Sequence, residues 1–121
     1  MSAKQLEDAI ASYKKRKAAG KTKREVRESD VEAALCARVK DLGGIPFKFV
    51  SPQRRGSPDR LVLLPEGRIA FVELKRPGEK PTDLQRREHD RIRQLGFRVD
   101  VVDNMHDAKT WNYDIDSLNL F

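Results

Sequence analysis

Residues 58–75 read PDRLVLLPEGRIAFVELK. Two apolar runs stand in this stretch, Arg60 to Leu64 and Arg68 to Leu74, and Pro65-Glu66-Gly67 separates them. Short apolar runs on either side of a Pro/Gly turn are typical of two neighbouring strands joined by a hairpin-type connection. We therefore predict a β-hairpin at the centre of the fold, and the other elements are placed around it.

The second strand of this hairpin carries an acid and a lysine two residues apart. Because side chains alternate along a strand, Glu73 and Lys75 point away from the predicted core set of Ala70, Val72 and Leu74. Charge that is buried without a partner is costly. Taken alone, the pattern favours a simple Glu73–Lys75 ion pair on an exposed sheet face.

Asp59 changes this interpretation because it stands at the head of the neighbouring strand, directly after the Gly56-Ser57-Pro58 turn. The hairpin brings the carboxylates of Asp59 and Glu73 towards each other. Mg²⁺ favours one or two carboxylates together with waters and phosphate oxygens, so the pair predicts a metal site. Lys75 would hold or help deprotonate an attacking water and stabilise charge on a phosphate.

A helix and a strand are predicted before the hairpin. Ser29-Asp30-Val31-Glu32 has the form of a capping box, and Gly43-Gly44 ends the helix that it opens. A strand from Ile45 to Ser51 follows, and then the polar loop 52–58, which is a candidate functional site. Cys36, the single cysteine, falls on the helix and is interpreted as a small buried apolar side chain, with a nucleophile as the alternative.

A second helix and a last strand are predicted after the hairpin. Thr82-Asp83-Leu84-Gln85 again resembles a capping box, and an apolar edge is formed by Leu84, Ile92 and Leu95. A helix between two strands favours a right-handed crossover, so Phe97 to Val102 should run parallel to a neighbour. The predicted fold class is α/β, with the order α-β-β-β-α-β and a mixed central sheet flanked by helices.

The ends of the chain differ from the middle. Residues 1–28 predict a basic N-terminal helix or a disordered arm, in which a weak apolar stripe of Leu6, Ile10 and Tyr13 precedes Lys14-Lys15-Arg16-Lys17. Residues 29–121 are predicted to form the folded domain. After Asp103, three apolar residues have helix-like spacing, namely Trp111, Ile115 and Leu118. We expect them to cap the core or to form a subunit contact.

Composition limits the class of protein. The chain has 121 residues, 38% of them hydrophobic and 36% charged, which fits one domain and contains no apolar run long enough for a membrane span. No apolar signal-peptide stretch follows Met1, so we expect a cytoplasmic protein of a bacterial or phage-infected host cell. A net charge of +6 predicts a polyanionic partner such as nucleic acid, although excess lysine for solubility would explain it too.

The hairpin motifs match a known pattern. Pro58-Asp59 followed by Glu73-Leu74-Lys75 resembles the PD-(D/E)XK nuclease motif in spacing and strand placement. With Glu32 on the preceding helix and Gln85 at the start of the next one, the region from Glu32 to Val102 resembles a stand-alone VRR-NUC domain of the phage or bacterial type.

The resemblance implies roles for individual residues. Asp59, Glu73 and the backbone carbonyl of Leu74 would bind Mg²⁺, for which Mn²⁺ would substitute, and Lys75 would assist the nucleophilic water. Glu32 would reach the metal directly or through water, and Gln85 would orient Lys75 or substrate. Each of these last two has an alternative role, because each occupies the third position of a capping box.

Other polar residues are weaker candidates. Arg54, Arg55, Arg60 and Lys80, together with Lys48, would meet phosphates of a cleaved strand, with exposed solubilising charge as the alternative. Arginines on the second helix alternate with acids and fit intrahelical pairs at least as well as a DNA-binding face. The lone histidines His89 and His106 are predicted to be satisfied surface or edge groups.

The leading hypothesis is a Mg²⁺-dependent DNA endonuclease. The resemblance implies selectivity for branched DNA, such as four-way (Holliday) junctions or flaps, and a link to DNA repair. One small domain offers one active site, so cutting both strands or resolving a junction symmetrically would call for a homodimer with paired sites. Two alternatives stay open. The chain is a non-catalytic nucleic-acid-binding module, or it is a nuclease subunit that works beside a helicase or another replication or repair protein.

Overall fold

A computed structural model describes residues 2–23 and 25–114, without the side chains of residues 13 and 15–23. Its elements in chain order are α1 (Ala3–Lys23), α2 (Glu28–Asp41), β1 (Ile45–Lys48), β2 (Arg60–Leu64), β3 (Arg68–Leu74), α3 (Asp83–Gln94), β4 (Arg98–Val102) and α4 (Met105–Thr110). A single 3₁₀ turn, Pro65–Gly67, joins β2 to β3. The α/β class and the predicted order of the central elements are confirmed.

One mixed sheet with the order β1-β2-β3-β4 lies at the centre. β1, β2 and β3 form an antiparallel meander, whereas β4 pairs with β3 in parallel. Because parallel neighbours need a long connection, α3 crosses between them. The hairpin turn places Glu66 and Gly67 at positive φ, a conformation that is easiest for glycine. The predicted hairpin and parallel crossover are both present.

The hydrophobic core lies on one face of the sheet, under α2 and α4. Alternate residues of β2 and β3 point into the core, as the two-residue period of a strand predicts. One stripe of α2 packs against them. The fully or almost fully buried members are Val31, Leu35, Val39, Val62, Leu64, Ala70, Val72, Leu74, Val102, Ala108 and Trp111. This packing fixes which face of β3 is left for Glu73.

Two strand boundaries differ from the predictions. β1 ends at Lys48 rather than Ser51, although the Phe49 amide still donates to the Asp59 carbonyl at 2.8 Å. β4 begins at Arg98 rather than Phe97. In both cases the apolar run is longer than the ladder, because aromatic side chains at Phe49 and Phe97 pack on Phe71 from just outside the paired segments.

The start of α2 also differs. The helix begins at Glu28, and the Asp30 carboxylate accepts from the Arg27 amide at 2.9 Å. The predicted capping box from Ser29 to Glu32 is therefore wrong by two residues, because the acid that caps the helix is Asp30 and not Glu32. Capping by Asp30 leaves the Glu32 side chain available for another partner. Cys36 lies on α2 as predicted and is half-buried.

The predicted apolar edge of α3 is wrong for two of its three residues, because only Ile92 is half-buried. Leu84 and Leu95 are 42% and 77% exposed, and the residues that α3 buries are Glu88 and His89. The reason is that α3 covers the part of the sheet where Glu73 lies, so the helix presents hydrogen-bonding groups there. Thr82 does cap the helix as predicted, since its hydroxyl accepts from the Gln85 amide.

The ends of the chain are described in part. Leu6 and Ile10 on α1 are exposed, while the side chains of Tyr13 and the basic run after Lys14 lie outside the described residues, as do Ile115 and Leu118. Trp111 closes the core, as one of its two predicted roles requires. Within the described ranges, no helix has the combined length and hydrophobicity to cross a bilayer.

A buried polar network ties the segment after β4 to the sheet. Asp100 is fully buried and accepts from Trp111 Nε1 and from Arg98 Nε, each at 2.7 Å. The Arg98 guanidinium also lies over the rings of Trp111 and Tyr113. A buried carboxylate needs such partners, and here they secure the end of the described chain.

Candidate active site

The β2–β3 register sets the two predicted carboxylates opposite each other. Arg60 pairs with Val72 in the ladder, so Asp59 stands one position further along, across from Glu73. Asp59 Oδ2 accepts a hydrogen bond from the Leu74 amide at 2.8 Å. Directly opposed residues in an antiparallel pair have close side chains. The structure thus brings Asp59 and Glu73 together at the end of β3.

Glu73 is a buried carboxyl group, only 2% exposed. Its Oε1 lies 3.3 Å from Gln85 Nε2, and its Oε2 lies 3.3 Å from His89 Nε2. Burial, followed by the charge of Asp59 and a hydrogen bond with it, raises the pKa of Glu73 to about 9. Without a cation, the two carboxyl groups therefore cannot easily be ionised together.

Lys75 follows on the same face of the sheet and is 7% exposed. Its Nζ lies 3.9 Å from Glu73 Oε1 and 3.6 Å from Glu79 Oε1. Glu79 also accepts from Arg76 Nε at 2.8 Å. The alternative of a Glu73–Lys75 pair on an exposed sheet face is wrong, because α3 and the segment after β3 cover both side chains.

Of the two α2 glutamates, Glu28 is the one whose charge interacts with Asp59 and Lys75. Glu32 is bound by the Arg60 guanidinium, on the core side of β2. The pKa of Glu28 is raised, first by burial and then by the negative charge of Asp59, with Lys75 acting in the opposite direction. Glu28 was not predicted as a site residue, although it lies one helical turn before Glu32 and hence on the same helix face.

Gln85 forms the predicted cap and also contacts Glu73. Its Oε1 accepts from the Thr82 amide at 2.9 Å, which completes the capping box, while its Nε2 donates to Glu73 at 3.3 Å. A primary amide has a donor and an acceptor end, so one side chain can do both. Its partner at the site is Glu73, whereas the resemblance implied Lys75 or substrate.

The prediction that His89 is a surface or edge group is wrong. It is 1% exposed and contacts Glu73, whereas His106 is exposed as predicted. Burial, followed by the charge of Arg93, lowers the pKa of His89 to about 4, so its imidazole is neutral. Spacing from Gln85 was the available signal, because residues four apart on a helix share a face.

Comparison with known proteins identifies the family of this chain. The family model described as "VRR-NUC domain" matches residues 2–105. The chain belongs to the VRR-NUC family. It is 57% identical over 79 residues to "Putative nuclease p44" of Acyrthosiphon pisum secondary endosymbiont phage 1, covering 65% of this chain and 85% of that protein.

A solved structure extends the comparison to the fold. A chain described as "VRR_NUC domain" superposes with a TM-score of 0.64 at 40% identity, covering 67% of this chain and 88% of that one. The four-stranded mixed sheet with flanking helices is therefore the VRR-NUC architecture. Family, relative and structure together support a nuclease.

The donor set of this VRR-NUC protein fits a hydrated Mg²⁺ better than a fully protein-bound metal. Among the described side chains, no three of His, Cys, Asp or Glu are grouped as a metal cage. Two adjacent carboxyl groups are present, and burial, followed by the negative charge of Asp59, raises the pKa of Glu73. Mg²⁺ keeps several waters and binds through one or two carboxylates, so Asp59 and Glu73 are the donors that would hold it.

The predicted phosphate-contacting residues have unequal surroundings. Arg54 forms a two-point ion pair with the Glu88 carboxylate, and Arg60 is bound by Glu32 and the Pro46 carbonyl. Arg55 and Lys80 are exposed, as is Lys48. Exposed cations are available to a phosphate, whereas Arg54 and Arg60 already have carboxylate partners.

The loop that carries Arg54 is held close to α3. Gly56 has φ +83°, and a Cβ there would lie 3.0 Å from the Leu84 carbonyl oxygen and 3.2 Å from the Gln85 backbone. Glycine meets both demands at once, since it tolerates positive φ and has no side chain. The loop and the Arg54–Glu88 pair thereby connect Asp59 to the helix that contacts Glu73.

Glu73→Gln should stabilise the metal-free protein at alkaline pH while it removes a carboxylate. Because the folded pKa of Glu73 is raised, the stability that its protonated form contributes is complete below the unfolded value near 4.5 and is lost as pH rises through about 9. In EDTA, the melting temperature of the variant should exceed that of wild type by several degrees at about pH 8, and the gap should vanish below about pH 5. Glu66→Gln, on the exposed hairpin turn, is the control. Equal melting temperatures of Glu73→Gln and wild type at about pH 8 would contradict the raised pKa of Glu73.

Proposed function

We propose that this VRR-NUC protein is a Mg²⁺-dependent DNA endonuclease with an active site at Asp59, Glu73 and Lys75. The observation that carries the proposal is the placement of two carboxyl groups and an ammonium at one end of β3, in a chain of net charge +6. Mg²⁺ with carboxylate ligands serves phosphoryl chemistry, and the basic surface attracts a polyanionic substrate.

The protein groups have distinct tasks in phosphodiester hydrolysis. Asp59 and Glu73 would hold Mg²⁺, with the Leu74 carbonyl as a third donor, and Glu28 would add negative charge near Asp59. When bound, the cation polarises the phosphate and acidifies water. Lys75 Nζ lies beside Glu73 and orients the attacking water, while its positive charge stabilises the negative charge that develops on the phosphate. Glu79 keeps the Lys75 ammonium in place.

Branched DNA is the proposed substrate class, cut by a homodimer with two sites. An apolar sheet face, formed by Ile45, Phe47, Phe71 and Phe97, lies on the side of the sheet opposite α2, and three of these side chains are 43–53% exposed. Clustered exposed apolar side chains mark interaction surfaces, and a two-fold dimer would pair this face with its copy. The buried position of Trp111 removes that residue from the interface.

Phe47→Lys should convert the dimer to a monomer, because a charge would be desolvated at the centre of the apolar sheet face. Sedimentation equilibrium should show two chains per particle for wild type and one for the variant at the same micromolar concentration. Val50→Lys is the matched control, since Val50 is 72% exposed just outside β1. A wild-type monomer, or a Phe47→Lys dimer of unchanged affinity, would refute this interface.

The function is tested with a panel of DNA substrates. Wild-type protein is incubated with plasmid, linear, flapped and four-way-junction DNA in Mg²⁺, in Mn²⁺ and in EDTA. The expected result is cleavage in either metal, fastest on the branched substrates, and none in EDTA. Salt-sensitive binding without cleavage in any metal would instead identify a non-catalytic binding module.

A further inference from the structure

Helix α3 holds Glu73 through both of its carboxyl oxygens. Gln85 Nε2 lies 3.3 Å from Oε1, and His89 Nε2 lies 3.3 Å from Oε2. The two residues are four apart, so they project from the same side of the helix, one turn from each other. Gln85 was predicted as a site residue, whereas the proposed function gives His89 no role.

The position of His89 calls for a physical explanation. α3 buries Glu88 and His89, and Glu88 is engaged by Arg54. A leucine at position 89 would fill such a place without a polar group. A buried imidazole must instead find a hydrogen-bond partner, and here that partner is the carboxyl group of Glu73.

The chemistry of the pair specifies how they interact in the active protein. A carboxylate that binds a metal only accepts hydrogen bonds, so the 3.3 Å contact requires the imidazole to carry a proton on Nε2. Donation to Oε2 then fixes the side-chain torsions of Glu73, while Gln85 fixes Oε1. Groups that orient a metal-binding carboxylate in this way typically change metal affinity by 10–100-fold when they are removed.

We propose that His89 is a positioning residue whose Nε2–H hydrogen bond to Glu73 Oε2 holds that carboxylate in its metal-binding orientation. His89 itself touches neither substrate nor cation. The proposal rests on the proposed function, because it assigns His89 a role through the metal-binding role of Glu73.

The test compares two polar replacements of similar size. His89→Gln places an amide donor near the position of Nε2, whereas the shorter His89→Asn places it near Nδ1 and out of reach of Glu73. His106→Asn, at the exposed histidine of α4, is the matched control. Mn²⁺ affinity is measured without DNA, from the electron paramagnetic resonance signal of free Mn²⁺, and folding is checked by thermal melting.

His89→Asn should bind Mn²⁺ roughly 10–100-fold more weakly than wild type, and His89→Gln within about threefold of wild type. In cleavage assays, the Mg²⁺ concentration for half-maximal rate should rise by the same factor in His89→Asn, while kcat at saturating Mg²⁺ stays within about tenfold. A purely structural role would lower the melting temperature without moving the Mn²⁺ affinity of the folded protein.

Two results would overturn the proposal. One is wild-type Mn²⁺ affinity in folded His89→Asn, and the other is equal weakening in His89→Gln and His89→Asn. Failure of the proposed function gives a different pattern, because wild type itself would then lack a Mn²⁺ site that Asp59→Asn removes.

Discussion

Asp59→Asn is expected to slow Mg²⁺-dependent DNA cleavage by at least about a thousandfold, because it removes one of two carboxylates that hold the cation. Loss of a metal donor at a phosphoryl-transfer site costs several kcal/mol of transition-state stabilisation, and each 1.36 kcal/mol is a factor of ten. The fold should persist, since the asparagine carbonyl can still accept the hydrogen bond that the Leu74 amide donates to Asp59.

Single-turnover cleavage of a labelled four-way junction measures this effect without interference from product release. Asp41→Asn provides the same chemical change at an exposed position at the end of α2 and should cleave at the wild-type rate. Circular dichroism melts of both variants exclude unfolding as the cause. Cleavage by Asp59→Asn within about tenfold of wild type would place the metal donors elsewhere.

Asp100→Ala should be the most destabilising substitution of a polar side chain in the described part of the chain. Asp100 is fully buried and accepts from both Trp111 and Arg98. Removal of the carboxylate leaves a largely buried guanidinium without that partner, and breaking a buried ion pair on one side typically costs about 3–5 kcal/mol.

Urea denaturation followed by Trp111 fluorescence measures the loss. Asp90→Ala is the control, because Asp90 forms an ion pair with Arg93 on the exposed side of α3 and should cost no more than about 1 kcal/mol. If the two variants lost the same stability, the Asp100 network would not anchor the Trp111 segment to the sheet. Trp111 fluorescence reports the loss of this network directly, because the Trp111 indole donates a hydrogen bond to Asp100.

The hairpin was predictable because its signals are local. The limits of β2 and β3 follow from the two apolar runs on either side of Pro65–Gly67, and the structure reproduces them. The same alternation placed Glu73 and Lys75 on one face, and the hairpin placed Asp59 beside them. Each of these inferences needs only neighbours within about fifteen residues in sequence.

The surroundings of the site were not predictable because they depend on contacts between distant elements. The sequence alone does not distinguish Glu28 from Glu32. In the structure, Arg60 on β2 binds Glu32, and Asp30 caps the helix. His89 looked like a surface residue because a lone histidine carries no partner in its own segment. Its burial follows from the docking of α3 over Glu73, which is a tertiary effect.

The polar side of α3 has the same origin. Sequence periodicity suggested that Leu84, Ile92 and Leu95 face the core, yet α3 packs through Glu88 and His89. Polar contacts outweigh the usual hydrophobic pattern at this position, because the helix provides hydrogen bonds to the Glu73 carboxyl group and to Arg54. Departures from patterning are expected at functional sites for this reason.

Calorimetric titration of Mn²⁺ into the DNA-free protein tests the central claim most directly. Wild type should show one site per chain, and Asp59→Asn, with an unchanged melting profile, should show none. A wild-type protein that binds no Mn²⁺, or an Asp59→Asn variant that binds it as tightly as wild type, would contradict a metal site built on Asp59 and Glu73.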